Sequence, residues 1–441
     1  MIKKIIKTIL PQKGIDALHL LFALGGVIKY QNPSKELIVI GITGTSGKST
    51  VTAFLREILE HSGHVVGSLS TVDFTIAGKT MLNDQKMTML GHSKIQKFLR
   101  EMVQKKCTVA IIESTSQGAL QHRHKFIQFD TFGITNLYHE HIEAHGSFEA
   151  YKQAKMTLFQ YMSTLSNKVL HSKTIKKSII VNADIPHYQD FTQFNHGQEF
   201  LFGAENGAFI YNNINQTKNG LFFDLNGETI NADNVVGVHN ASNITCAYLL
   251  AKSIGVPHKT IVEGIKKISP VPGRLEYIAE AKKHKFDVIV DYAFEPVAMK
   301  ALYDTITSMG YKNIIHVLGA TGGGRDKSRR EPLGYMAGTY ARMVVITNED
   351  PYDEDPIEIM KDVERGVVKA GKELDVDYAF IADRKKAINY AISIAKKNEV
   401  VIITGKGSEQ AMCIANGEMI SWDDRKIAKR AIKKSYAKKK N

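Results

Sequence analysis

The stretch Gly41–Thr50, GITGTSGKST, constrains the fold most, because it directly follows the apolar run LIVI. Leu37–Ile42 is predicted to be a buried strand, and Lys48–His61 a helix. Gly44 and Gly47 lie between them, where glycine permits unusual backbone turns and lets amide groups approach an anion closely. A strand, a glycine-rich loop and a helix N-terminus in this order predict a phosphate-binding loop in an α/β domain.

Two side chains of this stretch suit a nucleotide with its metal ion. Lys48 can reach terminal phosphates, and the Ser49 hydroxyl can ligate Mg²⁺. The spacing departs from the general P-loop pattern, since Ile42 occupies the first glycine position. A glycine-rich connection in another doubly wound fold is the alternative, and the flanking strand and helix favour phosphate binding over it.

A magnesium site also needs carboxylates, and two further segments offer them. Thr108–Ile112 is predicted to be a strand that places Glu113 at the carboxyl edge of the sheet, followed by the polar segment STSQGALQHR. Thr135–Gly146, TNLYHEHIEAHG, contains three histidines and two glutamates. It lacks the HExxH pattern of zinc enzymes, so an ordinary polar loop is the alternative there.

The 441 residues predict two or three domains, and the C-terminal part has its own pattern. Strand-like runs alternate with helical ones, which predicts a doubly wound domain with parallel strands and right-handed crossovers. The strand-like runs are FDVIVD, NIIHVLG, RMVVIT and EVVIIT, and the helical ones include PIEIMKDVERGVV and DRKKAINYAISIAKK.

Composition excludes several other classes of protein. The three cysteines are far apart, which argues against a disulfide framework or a zinc site and favours a reducing cytoplasm. The basic-then-apolar N-terminus is interrupted by Asp16 and His19, so we expect a packed helix and no stable membrane insertion, with contact to a membrane surface as the alternative. The net charge of +13 owes much to a basic tail from Arg425 to Lys440. We interpret the tail as a solvated final helix, since no nucleic-acid motif accompanies it.

Taken together, these motifs resemble the Mur ligase family, and within it the tripeptide synthetases, from about Ser34 to about Lys426. TGTSGKST is similar to the family's ATP loop, with Ser46 where asparagine is usual. The segments YKQAKMTLF, GVHNASNITCAY, PVPGRLEYI, VDYAFEP, GGGRDKSRREPLG and GKGSEQ are similar to family motifs in the same order. The resemblance implies an ATP- and Mg²⁺-dependent acid–amino-acid ligase of peptidoglycan synthesis. The implied fold is a central P-loop ATPase domain with a parallel sheet (34–269), a Rossmann-like C-terminal domain (270–441) and an N-terminal helical segment (1–33).

Individual roles follow from the same resemblance. The residues implied in catalysis are Lys48, Glu113, His141 and Lys155. Those implied in metal binding are Ser49, Glu113, His141 and Lys155, the last as a carbamate that turns a cation into a carboxylate; an ordinary salt-bridging lysine is the alternative. Those implied in ATP binding are Gly44, Thr45, Gly47, Lys48, Ser49, Thr50, Asn240, Asn243, Arg274, Asp291 and Tyr292. Those implied in substrate binding are Thr88, Ser116, Arg123, Arg325, Asp326, Lys327, Asp350, Tyr352, Gly405 and Glu409.

The implied substrates are a free amino acid and a UDP-N-acetylmuramoyl-peptide, specifically the L-alanyl-D-glutamate form or a related acceptor. Three departures bear on them. About 40 residues precede the phosphate loop where the family has a UDP-binding domain. Tyr352 stands where diaminopimelate enzymes have arginine, and Ser408 and Phe294 stand where histidine is usual. These changes slightly favour a basic amino acid over diaminopimelate as the one added, because tyrosine cannot make the bidentate contact to a carboxylate that arginine makes.

Two other functions remain open from the sequence. A folylpolyglutamate-synthase-like ligase would use the same chemistry, although the order of the motifs argues against it. A nucleotide-binding homologue without ligase activity would account for the altered amino-acid pocket, although the retained Lys48, Glu113, His141 and Lys155 argue against that.

Overall fold

The computed structural model describes residues 12–85, 87–139, 145–218 and 220–437. The chain forms two compact units. The first takes in the chain up to Asn215 together with Gly220–Asn234 and Asn240–Ser269. The second takes in Gln216–Asn219, Val235–His239 and the chain from Pro270 onward. The predicted α/β class is confirmed in both units.

An 11-stranded sheet organises the first unit, in the order β13-β12-β11-β10-β9-β6-β1-β5-β2-β3-β4. Strand β1 (Ile38–Thr43) lies between β5 (Val109–Glu113) and β6 (Thr131–Ile134) and is parallel to both. Every residue of β5 and β6 is buried, as expected for parallel strands covered on both faces. The carboxyl ends of these three strands therefore meet at one edge, where ligands bind in such sheets.

The other strands of this unit are β2 (Val66–Leu69), β3 (Asp73–Ile76), β4 (Lys79–Leu82), β7 (Lys168–Leu170), β8 (Lys173–Ile175), β9 (Ser178–Asn182), β10 (Gln198–Gly203), β11 (Phe209–Gln216), β12 (Leu221–Leu225) and β13 (Glu228–Ala232). Its helices are α1 (Gln12–Tyr30), α2 (Lys48–His61), α3 (His92–Gln104), α4 (Ser116–Leu120), α5 (Phe148–Ser163), α6 (Gln189–Thr192), α7 (Asn240–Ser253) and α8 (His258–Ile265).

The expected N-terminal helix is α1, which packs against α3. Ala23 is buried, and a side chain at Gly26 would come within 3.1 Å of the Ser93 Cα atom, so small residues permit the close approach. Arg100 of α3 closes the contact by donating from Nε to the Tyr30 carbonyl over 2.9 Å. Helix α1 is thus part of the first unit.

The second unit has a six-stranded sheet in the order β14-β15-β19-β16-β17-β18. All neighbours are parallel except β14, which pairs with β15 in antiparallel fashion. The strands are β14 (Glu276–Tyr277), β15 (Asp287–Val290), β16 (Ile314–Leu318), β17 (Met343–Ile346), β18 (Tyr378–Phe380) and β19 (Val400–Ile403), with the separate hairpin β20 (Ala411–Cys413) and β21 (Met419–Ser421). The helices are α9 (Pro296–Ser308), α10 (Arg330–Tyr340), α11 (Pro356–Lys369), α12 (Arg384–Ser393) and α13 (Asp424–Ala437).

The basic tail is more than a solvated helix. Ala428, Ala431 and Ile432 of α13 are at most 1% exposed and belong to the core of the second unit. Its lysines lie on the remaining surface, so the helix is amphipathic. No helix in the part of the chain that the structure describes is both long and apolar enough to cross a membrane.

Candidate functional site

The loop between β1 and α2 needs glycine at both predicted positions. Gly44 has φ 146° and Gly47 has φ 78°, a region that other residues rarely adopt. A Cβ atom at Gly44 would lie 1.9 Å from Thr135 Oγ1, and one at Gly47 would lie 2.4 Å from Asn243 Oδ1. The loop is therefore compressed between β6 and α7, with its amide groups at the N-terminus of α2, where the helix dipole favours anions.

Asn136, which the sequence did not single out, holds the loop in this conformation. Its side-chain oxygen accepts from the amides of Thr45 (3.1 Å) and Ser46 (2.9 Å), and its amide nitrogen donates to Ser46 Oγ (3.1 Å). Thr135 adds a hydrogen bond from its hydroxyl to the Ser46 carbonyl over 2.6 Å. Two polar residues at the end of β6 thus fix the turn from the side.

Two lysines converge on the loop. Lys48 Nζ donates to the carbonyls of Gly44 (3.0 Å) and Thr45 (2.9 Å), and Lys155 Nζ donates to the Gly44 carbonyl over 2.9 Å. Lys155 lies on α5, is only 2% exposed, and sits 4.4 Å from the centroid of the Tyr151 ring. Tyr151 in turn donates from its hydroxyl to Thr45 Oγ1 over 3.1 Å. The result is a concentration of positive charge where phosphate oxygens would lie.

Glu113 connects the loop to a neighbouring strand end. Its Oε2 accepts from the Ser49 hydroxyl (3.0 Å) and from the Thr71 amide (2.8 Å), and its Oε1 accepts from the Thr71 hydroxyl (2.9 Å). Thr71 also contacts Thr88, with its hydroxyl 2.9 Å from Thr88 Oγ1. A carboxylate and a hydroxyl within hydrogen-bond distance are hard oxygen donors of the kind that Mg²⁺ prefers.

Two of the predicted metal ligands, Ser49 and Glu113, are thus hydrogen-bonded to each other. Among the described residues, no cluster of three or more His, Cys, Asp and Glu side chains could hold a metal ion. His141, the predicted histidine ligand, lies outside the described residues. Ser49 and Glu113 suit a magnesium ion, which commonly takes several of its ligands from water and phosphate.

Ser116 is the first residue of α4, which follows β5, and Arg123 lies just after this helix. Ser116 Oγ lies 3.0 Å from Nε2 of His145, a histidine to which the sequence analysis gave no role. Burial, followed by the nearby Lys155 charge, lowers the pKa of His145, so its ring is neutral near pH 7. Arg123 donates to the Met89 carbonyl, next to Thr88, and to Gln121. Thr88 is therefore linked to Glu113 through Thr71, Arg123 contacts the residue next to Thr88, and Ser116 contacts His145.

Asn240 and Asn243 form the start of α7, beside the phosphate loop. Asn243 Nδ2 donates to Asn240 Oδ1 over 2.8 Å, and both residues are at least 93% buried. Thr50, on the first turn of α2, is also buried. The predicted nucleotide residues of the first unit therefore belong to one continuous polar site.

In the second unit, the remaining predicted nucleotide residues also come together. The Asp291 carboxylate accepts from the amides of Leu275 and Ala293, both over 2.7 Å, which fixes the turns after β15 and before β14. The Arg274 guanidinium stacks 4.0 Å from the centroid of the Tyr292 ring. The Tyr292 hydroxyl reaches Glu409 Oε1 at 3.4 Å.

The loop after β16 presents charged residues to solvent. Arg325, Asp326 and Lys327 are exposed, and Asp326 caps the following turn by accepting from the Ser328 amide over 2.9 Å. Lys327 pairs with Glu354 at 3.0 Å. The neighbouring Arg330 is 2% exposed and is held by Glu354 (3.0 Å) and Asp362 (2.9 Å), so it supports the loop from inside.

A buried lysine organises the acidic residues of the predicted amino-acid pocket. Lys406 Nζ lies 2.8 Å from both Asp350 oxygens and 2.6 Å from Glu409 Oε2. Asp350 and Glu409, both predicted to bind substrate, therefore share one ammonium group in the structure. Because the cluster is buried, these ion pairs require a defined arrangement of the three side chains.

Glu349 is the remaining acid of that cluster. Its Oε1 accepts from the Thr321 hydroxyl over 2.8 Å, while its Oε2 has no hydrogen-bond partner among the described residues. Burial raises the pKa of this carboxyl group above its usual value. A Cβ atom at Gly405 would lie 2.1 Å from Glu349 Oε2, so glycine is required beside it. Tyr352 adopts φ 52°, with its ring against Gly323.

Comparison with known proteins shows which family this chain belongs to. Residues 42–251 match the Mur ligase middle domain, and residues 273–407 match the Mur ligase glutamate ligase domain. The chain is 32% identical over 410 residues to the UDP-N-acetylmuramoyl-L-alanyl-D-glutamate–2,6-diaminopimelate ligase of Geobacillus thermodenitrificans (strain NG80-2), covering 92% of this chain and 80% of the relative. It is 30% identical over 411 residues to the UDP-N-acetylmuramyl-tripeptide synthetase of Roseiflexus sp. (strain RS-1), covering 91% and 80%.

Solved structures share the fold. A UDP-N-acetylmuramoyl-L-alanyl-D-glutamate–2,6-diaminopimelate ligase superposes with a TM-score of 0.60 at 24% identity, covering 91% of this chain and 79% of that one. The Mycobacterium tuberculosis folylpolyglutamate synthase complexed with ADP and AMPPCP superposes with a TM-score of 0.68 at 15% identity, covering 88% and 92%. The sequence relatives and the matched domains show that this chain belongs to the Mur ligase family of ATP-dependent ligases.

Proposed function

We propose that this enzyme joins an amino acid to the free carboxylate of UDP-N-acetylmuramoyl-L-alanyl-D-glutamate, or of a related acceptor, in peptidoglycan synthesis. One observation carries the proposal. Hydrogen bonds run from Ser49 of the phosphate loop through Glu113 and Thr71 to Thr88, over distances of 2.8–3.0 Å. This series of hydrogen bonds links the residues proposed to bind ATP and Mg²⁺ to one residue proposed to bind the acceptor. The relatives named above supply the identity of the acceptor.

The reaction would proceed through an acyl phosphate. A carboxylate oxygen of the acceptor attacks the γ-phosphorus of ATP, the bond to the β-phosphate bridge breaks, and ADP leaves. The amine of the amino acid then attacks the acyl carbon, loses a proton, and expels inorganic phosphate. Because amide formation from a free acid is uphill in water, ATP supplies the activation. Reactions of this kind depend on positioning and on neutralising the phosphate charge.

The residues of the first unit would neutralise that charge. The loop amides and the N-terminus of α2 would hold the phosphates, and Lys48 would exchange its loop carbonyls for phosphate oxygens. Mg²⁺ held by Ser49, Glu113 and His141 would act as a Lewis acid on the phosphates. Thr45, Thr50, Asn240 and Asn243 complete the proposed nucleotide residues of the first unit. In the second unit, Arg274, Asp291 and Tyr292 are proposed to contact ATP.

Lys155 is proposed to carry a carbamate. In that reaction the ammonium group first loses a proton. The neutral amine then attacks CO₂, an N–C bond forms and a second proton is released, so that a cation becomes an anion. The position supports this, because Lys155 is buried beside the phosphate loop and Tyr151, while its formal charge adds to that of Lys48. Lys155→Ala should be inactive and should partly recover with a short carboxylate in solution. A fully active enzyme whose Lys155 carries no added mass in intact-protein spectra under CO₂ would contradict the carbamate.

The added amino acid is proposed to be basic, with Glu349 as the group that faces its side-chain ammonium. Asp350 and Glu409 are already bound to Lys406, whereas Glu349 Oε2 lacks a partner in the described part of the chain. Tyr352 offers a hydroxyl and an aromatic face where an arginine would bind a distal carboxylate. Ser116 and Arg123 of the first unit are proposed to bind the acceptor. Arg325, Asp326 and Lys327 of the second unit are proposed to contact substrate and phosphate.

A product assay tests the whole proposal. The enzyme is incubated with ATP, Mg²⁺ and a panel of amino acids that includes L-lysine and meso-diaminopimelate, with UDP-N-acetylmuramoyl-L-alanyl-D-glutamate or a folate as acceptor. ADP and product mass are both read. We expect ADP and a ligated muramoyl product, and no product with folate. Lys48→Ala is the matched inactive control. Folate ligation, or nucleotide binding without any ligated product across the panel, would contradict the proposal. Because ATP is consumed, we place the enzyme in the cytoplasm.

A further inference from the structure

Helix α1 presents an apolar surface to solvent. The large side chains exposed on it are Leu20 (37%), Leu21 (64%), Phe22 (59%), Leu24 (41%) and Ile28 (70%). From Ala17 to Ile28 the sequence contains no Asp, Glu, Lys or Arg. Surface helices of globular proteins normally place charged residues on this side, so an uncharged face needs a physical reason.

The helix is held firmly enough for the face to be a stable feature. Its opposite side is occupied by α3, through Ala23, Gly26 and the Arg100–Tyr30 hydrogen bond described above. His19, the one titratable residue between Ala17 and Ile28, faces α3 as well, with its ring centroid 5.7 Å from that of His92. Because α1 already packs against α3 through its other side, the exposed apolar residues form a separate, outward-facing surface.

The exposed area is smaller than a protein interface usually needs. The five side chains expose on the order of 500 Å², which is large for a patch on a monomer but below the roughly 800 Å² per partner of a standard protein–protein interface. A second copy of the chain seated on this face alone would therefore bury too little surface for a stable dimer. A planar lipid surface sets no such minimum, because every apolar side chain on the exposed arc can insert.

The N-terminal part of the sequence is positively charged. The first 30 residues contain five lysines (Lys3, Lys4, Lys7, Lys13 and Lys29) and one acid, Asp16, a formal balance of +4. The sequence before α1, MIKKIIKTILP, consists mainly of apolar residues and lysines. Apolar residues combined with lysines are the two signals that hold a peripheral protein on an anionic membrane.

We propose that helix α1 docks this enzyme on an anionic lipid surface. The helix would lie in the plane of the interface, with Leu21, Leu24 and Ile28 at the level of the acyl chains and Lys29 at the headgroups. This is peripheral docking. It agrees with the finding that no helix in the described part of the chain could cross a membrane.

Vesicle flotation of the full-length enzyme tests the proposal. Vesicles contain phosphatidylcholine alone or phosphatidylcholine with phosphatidylglycerol. The face variant is Leu21→Glu/Ile28→Glu. The matched control is Val169→Glu/Val376→Glu, which places two charges at equally exposed valines outside α1, 68% and 63% exposed. Circular dichroism and ATP turnover without vesicles verify that both variants are folded.

We expect the wild type and the control to float with phosphatidylglycerol vesicles, and to bind vesicles of phosphatidylcholine alone at least about tenfold more weakly. Added salt should reduce binding, because lysine attraction is screened. The face variant should bind phosphatidylglycerol vesicles at least about tenfold more weakly than the control. Equal binding by the face variant and the control would overturn the proposal, as would the absence of flotation. A dimer in light scattering that the face variant alone converts to a monomer would also overturn it and assign the face to a second copy.

Discussion

Mild acid should destabilise the first unit through one buried histidine. His124 is 0% exposed, and neither ring nitrogen has a hydrogen-bond partner among the described residues. Burial, followed by the charges of Lys125, His122 and His92, lowers its pKa to about 3. The Tyr161 ring of α5 packs against it edge-on at 5.0 Å, and the charged groups that act on it in the described part of the chain are basic. The ring must be neutral in the folded protein.

The sign and size of the effect follow from linkage. An unfolded histidine has a pKa of about 6.5, so below that pH the unfolded state binds a proton that the folded state excludes. The stabilisation is fully present above pH 6.5 and is lost as the pH falls from there towards the folded pKa. Between pH 7 and pH 5, a group shifted from about 6.5 to about 3 lowers the free energy of unfolding by about 2 kcal/mol.

The test compares wild type with His124→Phe, which keeps a ring and removes the titrating nitrogens. Urea unfolding is followed at pH 7 and pH 5 by circular dichroism, while the fluorescence of Trp422 reports on the second unit. The variant should lose about 2 kcal/mol less than wild type between the two pH values. His92, whose pKa burial lowers to about 4, titrates in both proteins and cancels.

His171→Asn serves as the control, because His171 is exposed on a turn with φ 48°, a conformation that asparagine tolerates. Its acid sensitivity should equal that of wild type. If wild type and His124→Phe lose the same stability between pH 7 and pH 5, the buried neutral ring is not the cause of the acid sensitivity, and the reasoning is refuted.

Three further predictions concern the site. Gly47→Ala should lower the free energy of unfolding by about 1–3 kcal/mol more than Gly63→Ala in urea titrations, since both have positive φ but only a side chain at Gly47 would also overlap Asn243; equal losses would contradict the steric argument. Glu113→Gln should raise the Mg²⁺ concentration for half-maximal ADP release about tenfold or more, because it removes a charge worth about 1.5–3 kcal/mol to a ligand; an unchanged Mg²⁺ dependence would exclude Glu113 as a ligand. Tyr352→Arg should shift the product ratio towards meso-diaminopimelate over L-lysine by about ten- to a hundredfold in competition, and an unchanged ratio would show that position 352 does not select the amino acid.

Local patterns in the sequence were sufficient for the elements that carry the site. Helix α2 was predicted with its observed bounds, Lys48–His61, and Glu113 was placed at the carboxyl end of its strand. The four predicted C-terminal strands all appear in a parallel arrangement. Apolar runs, helical periodicity and glycine requirements are properties of neighbouring residues, so they can be read without knowing what the chain packs against.

Contacts between distant residues were decided only by the tertiary structure. Asn136 holds the loop from 90 residues away, and Thr71 fixes Glu113 across 42 residues. Neither has a local signature, since a polar residue at a strand end is common on any surface. Their roles depend on which strands are neighbours in the sheet.

The amino-acid pocket shows the same division. The sequence by itself predicted Asp350 and Glu409 as substrate-binding residues. It could not pair Lys406 with Asp350, because that pairing requires loops 56 residues apart to meet in a buried space. The strength of an ion pair depends on the distance between the charges and on how far water is excluded from them. Both quantities are determined only when the chain has folded.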